Sequence, residues 1–486
     1  MILLAAHEFL LRHIPPQPAA ARPAARLACI AFSLPFAKAK GPCSLKRLSG
    51  CFGIMPRKFM LAYLVSFVFM VGAFAQTPVD ENAMFADTQT VVDNARAKPA
   101  ASIVKKNSFD ISGELSSIDQ LYLGQEKNSY QNIALGSFLV DGRYNTNYKF
   151  FANVETRHIW ENNESKLYLP ECFIDTPIAN KVYLRWGRQV LQWGRCYLWN
   201  PTDLINVDKK TFIQRIGSRD GVYGVKLHVP VGTTFNFYGF LDTGGQDFDA
   251  DKQGGALKFE YLLGGTEMAF SFWDKDKNLP VYGYDFSSRA FNVDLTGEIS
   301  ASKGFTRDIL RQEGDLLSMD KHRDEWITRA SFDLGKNFHF NNQANKINVT
   351  AEGFYNGAGY AKNVFKDQTI YLYKEPLTLN GAAIAAGDKK SFFFGHDLYE
   401  ANYYGKYYAA LFTTVNDFFT SDYTFSANWI ENLCDKSGIL SLGIKYQNLK
   451  DWYVDLTAYT FLGKKNCEYT FLNQAVSFQL TLGWKF

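Results

Sequence analysis

The sequence predicts an all-β fold: a transmembrane antiparallel β-barrel of 16 or 18 strands. Three observations carry this expectation. The last ten residues, Ser477 to Phe486, alternate without a break, with Phe478, Leu480, Leu482, Trp484 and Phe486 on one side of a strand and Ser477, Gln479, Thr481, Gly483 and Lys485 on the other. Aromatic residues make up 16% of the chain, with 41 Phe and 27 Tyr, yet mean hydropathy is only -0.20. Downstream of residue 76 no stretch is long and apolar enough for a membrane helix, whereas strand-length alternating segments recur every ~10–15 residues. A half-buried strand of a soluble sandwich alternates in the same way. A chain this aromatic and yet polar overall favours strands with one face in lipid and the other in water.

At the N-terminal end, basic Met55-Pro56-Arg57-Lys58, the apolar run Phe59 to Phe74 and Ala73-Phe74-Ala75 before Gln76 have the order of a secretory signal peptide over 55–75, cleaved after Ala75. A signal peptide does not normally begin inside a polypeptide. The expected translation start is therefore Met55, and the Ala-, Pro- and Arg-rich residues 1–54 are read as a non-native extension. Leu48-Ser49-Gly50-Cys51 has the form of a lipoprotein cleavage box but lacks an apolar run before it, and is read as chance. Residues 76–107 are polar and aperiodic, as expected of a flexible periplasmic lead-in or a short plug, and the barrel is expected over 108–486. The formal charge of +3 argues against a nucleic-acid partner.

Alternation places strands near 108–124, 131–144, 147–160, 166–176, 181–193, 221–230, 232–242, 254–263, 265–274, 288–301, 324–335, 346–358, 399–414, 420–432, 439–448, 452–462 and 470–486. That is an odd number, whereas single-chain bacterial barrels have an even one with both termini at the same rim. Counting forward puts the tight turns at 229–232 and 263–265 on the periplasmic side; counting back from Phe486 puts the long 359–398 connection outside. The two counts collide between 275 and 323, so a strand there is missed or spurious.

In the C-terminal part, Leu440, Leu442, Ile444 and Tyr446 face lipid, as do Val454, Leu456 and Ala458 on the next strand. Lys445 and Asp455 are thereby turned inward opposite one another, where they are expected to form a lumen ion pair. Four cysteines follow residue 75: Cys172, Cys196, Cys434 and Cys467. Cys434 and Cys467 fall in connections on the same rim and are the candidate disulfide, with Cys172 and Cys196 a weaker pair.

The most distinctive segment is Gly187-Arg188-Gln189, then Trp193-Gly194, then Trp199-Asn200-Pro201-Thr202-Asp203-Leu204. It resembles the signature of a porin-like outer-membrane protein family of two-membrane bacteria, whose members are mostly uncharacterised. The resemblance covers roughly 45 residues strongly, weakening through Arg219-Asp220-Gly221-Val222, and implies an outer-membrane barrel with no assigned substrate. From the residues themselves, Val182, Leu184 and Trp186 face lipid, and Tyr183, Arg185 and Gln189 face the lumen. Arg188 falls on the lipid side unless Gly187 forms a bulge that turns it inward. Asn200 to Asp203 is a turn-forming run, with Asp203 a candidate cap for a helical turn near Leu204.

The 194–220 connection is long and cationic, and is expected to fold inward and narrow the lumen, with Arg185, Arg188, Gln189, Arg195, Arg215 and Arg219 shaping the constriction. The competing reading pairs those arginines with Asp203, Asp208 and Asp220 as braces. The other inward charges, including Asp141, Lys149, Arg157, Lys258, Glu260, Glu267, Asp333 and Glu352, are mixed in sign, so no ion preference is legible.

The expected function is passive diffusion of small hydrophilic solutes, without cofactor or metal. The alternatives are a ligand-specific or hydrophobic-compound transporter plugged by 76–107, and a surface adhesin or structural barrel using the 359–398 loop with Phe392, Phe393 and Phe394. No zinc-protease, nucleophile-elbow or phosphate-loop motif is present; His158 and His228 are read as lumen-lining, so an enzyme is not expected. Expected partners are outer-membrane lipid, the barrel-assembly machinery through the C-terminal strand, and solutes. A homo-oligomer is left open.

Overall fold

A computed structural model describes residues 107–486 apart from 125–127, 146, 180, 204, 206–219, 246–252, 276–279, 306–307, 314–315, 321–323, 341–342, 364–377, 380–381, 384–397, 399, 450 and 471–473. The strands in chain order are β1 (Asn107–Gly124), β2 (Ser129–Tyr144), β3 (Tyr148–Ile159), β4 (Glu164–Ile178), β5 (Val182–Gln189), β6 (Val222–Val231), β7 (Phe235–Asp242), β8 (Gly254–Leu263), β9 (Thr266–Lys275), β10 (Val281–Ala290) and β11 (Val293–Lys303). They continue with β12 (Ile309–Glu313), β13 (Leu316–Asp320), β14 (Trp326–Phe340), β15 (Gln343–Asn356), β16 (Thr378–Leu379), β17 (Ala382–Ala383), β18 (Tyr407–Val415), β19 (Tyr423–Asn432), β20 (Ser437–Leu449), β21 (Trp452–Leu462) and β22 (Gln474–Lys485). The pairs β12–β13 and β16–β17 are small hairpins of their own; the other strands form one 18-stranded antiparallel sheet in which each pairs with the next.

The sheet closes because β22 pairs with β1, from Glu114↔Lys485 to Gly124↔Gln474. Phe486 completes the seam, its N–H donating to Gly113 O at 3.0 Å and its carbonyl accepting from Gly113 N at 2.9 Å. Closure leaves no unpaired edge, which is the condition for strands to cross a bilayer. Gly113 makes room for the terminal ring: a Cβ there would come 2.6 Å from Phe486 Cζ and 2.5 Å from Ser137 O.

The number is eighteen, and the missing strand is β10, inside the 275–323 interval. The expected strand 288–301 runs together the end of β10 and most of β11 across a two-residue turn, Phe291-Asn292, with φ of 53° and 57°. That is the backbone of a tight hairpin turn, which usually announces itself as Asn-Gly or Asp-Gly. With β10 in place, the short connections at 145–147, 179–181, 232–234, 264–265, 291–292, 341–342, 416–422 and 450–451 share one rim with both ends of the barrel sequence. The opposite rim carries the long ones, 190–221, 243–253, 304–325, 357–406 and 463–473.

The two faces of the wall separate as alternation requires. Phe237, Leu241, Leu257, Phe270, Ile299, Phe332, Leu411, Leu442 and Leu482 are exposed on the outer face, an apolar belt that only lipid matches. Among their neighbours in sequence, Ser271, Glu298, Asp333 and Thr481 point inward and are buried, as is Glu352 across from Asp333. Phe478 and Leu482 are exposed on the outer face, while Ser477 and Thr481 are buried on the inner one.

Candidate functional site

The chain leaves the wall at Gln189. Its side chain is fully buried and donates to Gly224 O at 3.2 Å, while the N–H of Val190 turns from the ladder to Glu171 Oε1 at 3.0 Å. From there residues 190–203 form a strap along the inner wall. Leu191 and Trp193 enter an apolar cluster with Phe240, Ala256 and Trp273, inward residues of β7, β8 and β9, and Lys258 Nζ donates to Trp193 O at 2.7 Å. Trp199, with no exposed surface, lies parallel to Phe354 of β15 at 5.2 Å between centroids and touches Tyr408 of β18. Ile205 returns to the first cluster. The strap thus runs out along the wall to β15 and β18 and comes back.

Between these apolar ends it is held by carboxylates reading its main chain. Glu298 of β11 accepts from Arg195 N at 2.5 Å, Cys196 N at 2.6 Å, Asn200 Nδ2 at 3.2 Å, Thr202 N at 3.0 Å and Thr202 Oγ1 at 2.7 Å. Asp333 of β14 accepts from Tyr197 N at 2.7 Å, and Glu352 of β15 from Leu198 N at 2.7 Å and Trp199 N at 2.8 Å. Asn200 closes the bend by donating Nδ2 to Cys196 O, and Asp203 N donates to Asn200 O at 3.1 Å. Gly194 lets the bend close: a Cβ there would lie 2.9 Å from Asn200 Cγ.

Arg195 projects from the strap into a second acidic group. Its Nε donates to Asp285 of β10, its Nη1 to Glu267 of β9 at 2.5 Å and its Nη2 to Glu260 of β8 at 3.1 Å. Lys258 adds ion pairs to Glu260 at 3.1 Å and Asp285 at 3.3 Å. The neighbouring carboxylates hold the Arg195 guanidinium protonated against the opposing effect of its burial, and burial pushes the Cys196 thiol up.

The residues picked out in the sequence are distributed as follows. Arg195 and Gln189 belong to the strap and its root. Arg185 stays on the inner wall, in a two-pronged pair with Asp175 of β4 at 2.7 and 2.9 Å and over the Phe173 ring at 3.8 Å. Arg188 does not turn inward. Gly187 has φ of +124°, but the pairing runs through it without a shift, Cys172↔Arg188 on one side and Arg188↔Tyr223 on the other, so Arg188 keeps the outer parity of Trp186. It donates Nε to Gly221 O at 2.9 Å and covers the Tyr223 ring.

Arg215, Arg219 and the turn near Leu204 lie outside the described residues, as does Asp208; of the expected loop carboxylates none is shown with Arg195, whose partners are wall residues. Lys445 and Asp455 do stand opposite one another on the inner face; Lys445 Nζ lies 4.7 Å from the Tyr453 ring centre, and Asp455 accepts from Thr457 Oγ1 at 2.9 Å. The Cys434–Cys467 disulfide is not formed: both are free, the Cys467 thiol being turned toward Asp435 O and Asn363 Nδ2. Cys172 and Cys196 are also free, one on the outer parity of β4 and the other inside. His228 faces inward against Tyr238, whereas His158 is on the outer parity of β3, beside Ser165 and Trp160.

Sequence reading named Glu260, Glu267, Asp333 and Glu352 as inward charges but missed Asp285, which sits on β10, and Glu298, the most heavily bonded anchor. The available signal for Glu298 was its place two residues from inward Ser300 on an alternating strand.

No protein-family model matches the chain, and no curated protein matches it. Among solved structures it is similar to Acinetobacter baumannii OccAB1, at 11% identity over 80% of this chain and 99% of that one, with a TM-score of 0.49. It is similar as well to Pseudomonas aeruginosa OccK11 (OpdR), at 8% identity over 78% and 96% with a TM-score of 0.47, and to Salmonella typhi OmpF in complex with daunomycin, at 13% over 78% and 98% with a TM-score of 0.40. These are likenesses of shape at low identity.

Proposed function

We propose that the protein is an outer-membrane channel for passive diffusion of small hydrophilic solutes, in which the inward strap sets the width of the passage. The observation that carries this reading is the anchoring of residues 195–202 by the inner wall across β10, β11, β14 and β15. A barrel that served only to fill the membrane has no use for a segment pinned by buried carboxylates along its lumen. Supporting it, barrels of 16 to 18 strands enclose a lumen wide enough for water, and the inner face carries both signs of charge, paired along the wall as in Lys149–Asp141 at 2.9 Å and Arg185–Asp175 at 2.7 Å. In this reading the long connections face the outside and the short turns the periplasm, export uses residues 55–75, and the Phe486-ended strand is handed to the assembly machinery. The resemblance of the 187–204 segment to a porin-like family points the same way.

The test is single-channel conductance in planar bilayers of protein purified from outer membranes. Discrete openings proportional to salt concentration are expected. A correctly folded barrel that stays silent would overturn the channel reading in favour of a plugged transporter or an adhesin.

A further inference from the structure

Where the strap crosses β14 and β15, Cys196 brings its sulfur to two wall carboxylates. Ligand atoms of Cys196, Asp333 and Glu352 all lie within 4.8 Å of one another, and all three residues are buried. Asp333 and Glu352 face each other directly across the β14–β15 pair. Among the described residues no lysine or arginine is within ion-pair distance of either, because Arg195 and Lys258 are committed to Asp285, Glu260 and Glu267. Two adjacent buried carboxylates without a cation are costly.

Two further buried polar atoms lie here with no partner outside the cluster among the described residues. Asp333 uses Oδ2 for the Tyr197 amide, and its Oδ1 accepts nothing from beyond the cluster. Ser331, two residues earlier on the same inward face and 4% exposed, turns its hydroxyl to the Cys196 thiol and to no other group. Docking of the strap's main chain requires neither atom. We propose that Cys196, Asp333 and Glu352 bind a zinc-like divalent cation, with the Ser331 hydroxyl or a water completing four-coordination.

The donor set selects the ion. A thiolate disfavours magnesium and calcium, while two carboxylates disfavour copper(I); one sulfur and two or three oxygens suit the borderline acid zinc. Bond lengths of about 2.3 Å to sulfur and 2.0–2.2 Å to oxygen require the ligand atoms, within 4.8 Å of one another in the unbound site, to close to about 3.5 Å. On binding, the thiol transfers its proton to solvent and sulfur bonds to the metal, so affinity rises with pH. The ion joins the strap to two wall strands through a side chain, a tie independent of the amide contacts.

The experiment uses the whole protein extracted in detergent from membranes of an expressing two-membrane bacterium. It is titrated with cobalt(II), then competed with zinc(II). One equivalent of cobalt is expected to give a thiolate-to-metal charge-transfer band and the visible absorption of a four-coordinate site, both removed by zinc. C196S should abolish the charge-transfer band, and D333N should weaken cobalt affinity by roughly tenfold or more, with unchanged β-sheet circular dichroism. C172S should leave both spectra intact. Absence of the band in folded wild type, its survival in C196S, or unchanged affinity in D333N would overturn the site; D333N decides alone if C196S does not fold.

Discussion

Replacing Glu298 by glutamine should loosen the strap without opening the barrel. One carboxylate serves five donors, three on Oε1 and two, Thr202 N and Thr202 Oγ1, on Oε2. A glutamine keeps one oxygen for Arg195 N, Cys196 N and Asn200 Nδ2 and sets its amide group against Thr202 N, while the Thr202 hydroxyl turns to accept from that amide. One hydrogen bond to a charged acceptor, worth about 1.5–3 kcal/mol, is then lost outright, weakening the docking of the strap by about that much. At about 1.4 kcal/mol per tenfold, amide protection of residues 195–202 should fall by a factor of roughly 10–10². The ladder bonds of β11 to β10 and β14 do not involve the side chain, so strand protection should stay as it is. Hydrogen exchange by mass spectrometry on peptides covering 194–203, paired with conductance, reads this directly, and a wider, noisier channel is expected alongside. If peptides 194–203 of E298Q exchange as slowly as wild type, the carboxylate anchor is not what holds the strap.

Two further outcomes follow from residues outside it. Glu468, in the 463–473 connection, is 2% exposed and accepts from Asn402 N at 3.0 Å, Tyr408 Oη at 2.9 Å and Asn432 Nδ2 at 2.8 Å. Burial, chiefly, pushes its carboxyl up to about 8. Between the ordinary carboxylate range and that value the folded state keeps a proton that the unfolded state has lost, so stability should fall as pH rises, by about 1.4 kcal/mol per unit for this group, and level off above it. E468Q should remove that slope when urea midpoints are compared at pH 5 and pH 8; an unchanged slope would show that the group does not govern it. Gly113→Leu should lower the folded, heat-modifiable fraction on gels by crowding the Phe486 ring, whereas Gly353→Leu, with nothing within 4 Å of its Cβ position, should not. Equal folding of the two would count against the seam argument.

The barrel was legible because alternation is a direct projection of lipid and water onto a strand of period two. β22 showed it without interruption, and the parity it set put Lys445 and Asp455 on the inner face. β10 was not legible. Its outer Tyr282, Tyr284 and Phe286 alternate with inner Gly283, Asp285 and Ser287, but Phe291-Asn292 hides the turn that separates it from β11, because both residues take φ above zero without a glycine. The strap was legible in location and not in bonding. Its tryptophans and Asn200-Pro201-Thr202 marked a structured connection, whereas its anchors lie on strands 65 to 154 residues away and bind peptide groups that leave no trace in the sequence. Arg188 was not legible because a glycine within a strand can either shift the register or leave it; here Gly187 changes the local backbone angle and leaves the pairing intact.

Because the wall grips peptide N–H groups, the grip is blind to which residue supplies them. Proline at 195–199 or 202 would delete a bond outright, while almost any other exchange at Tyr197, half exposed and resting on Phe412 at 4.6 Å, leaves its anchor in place. In the proposed channel, the lining at that point can therefore drift or be redesigned, one position at a time, while the bracket that carries it stays fixed, and solute preference and foldability need not trade against each other there.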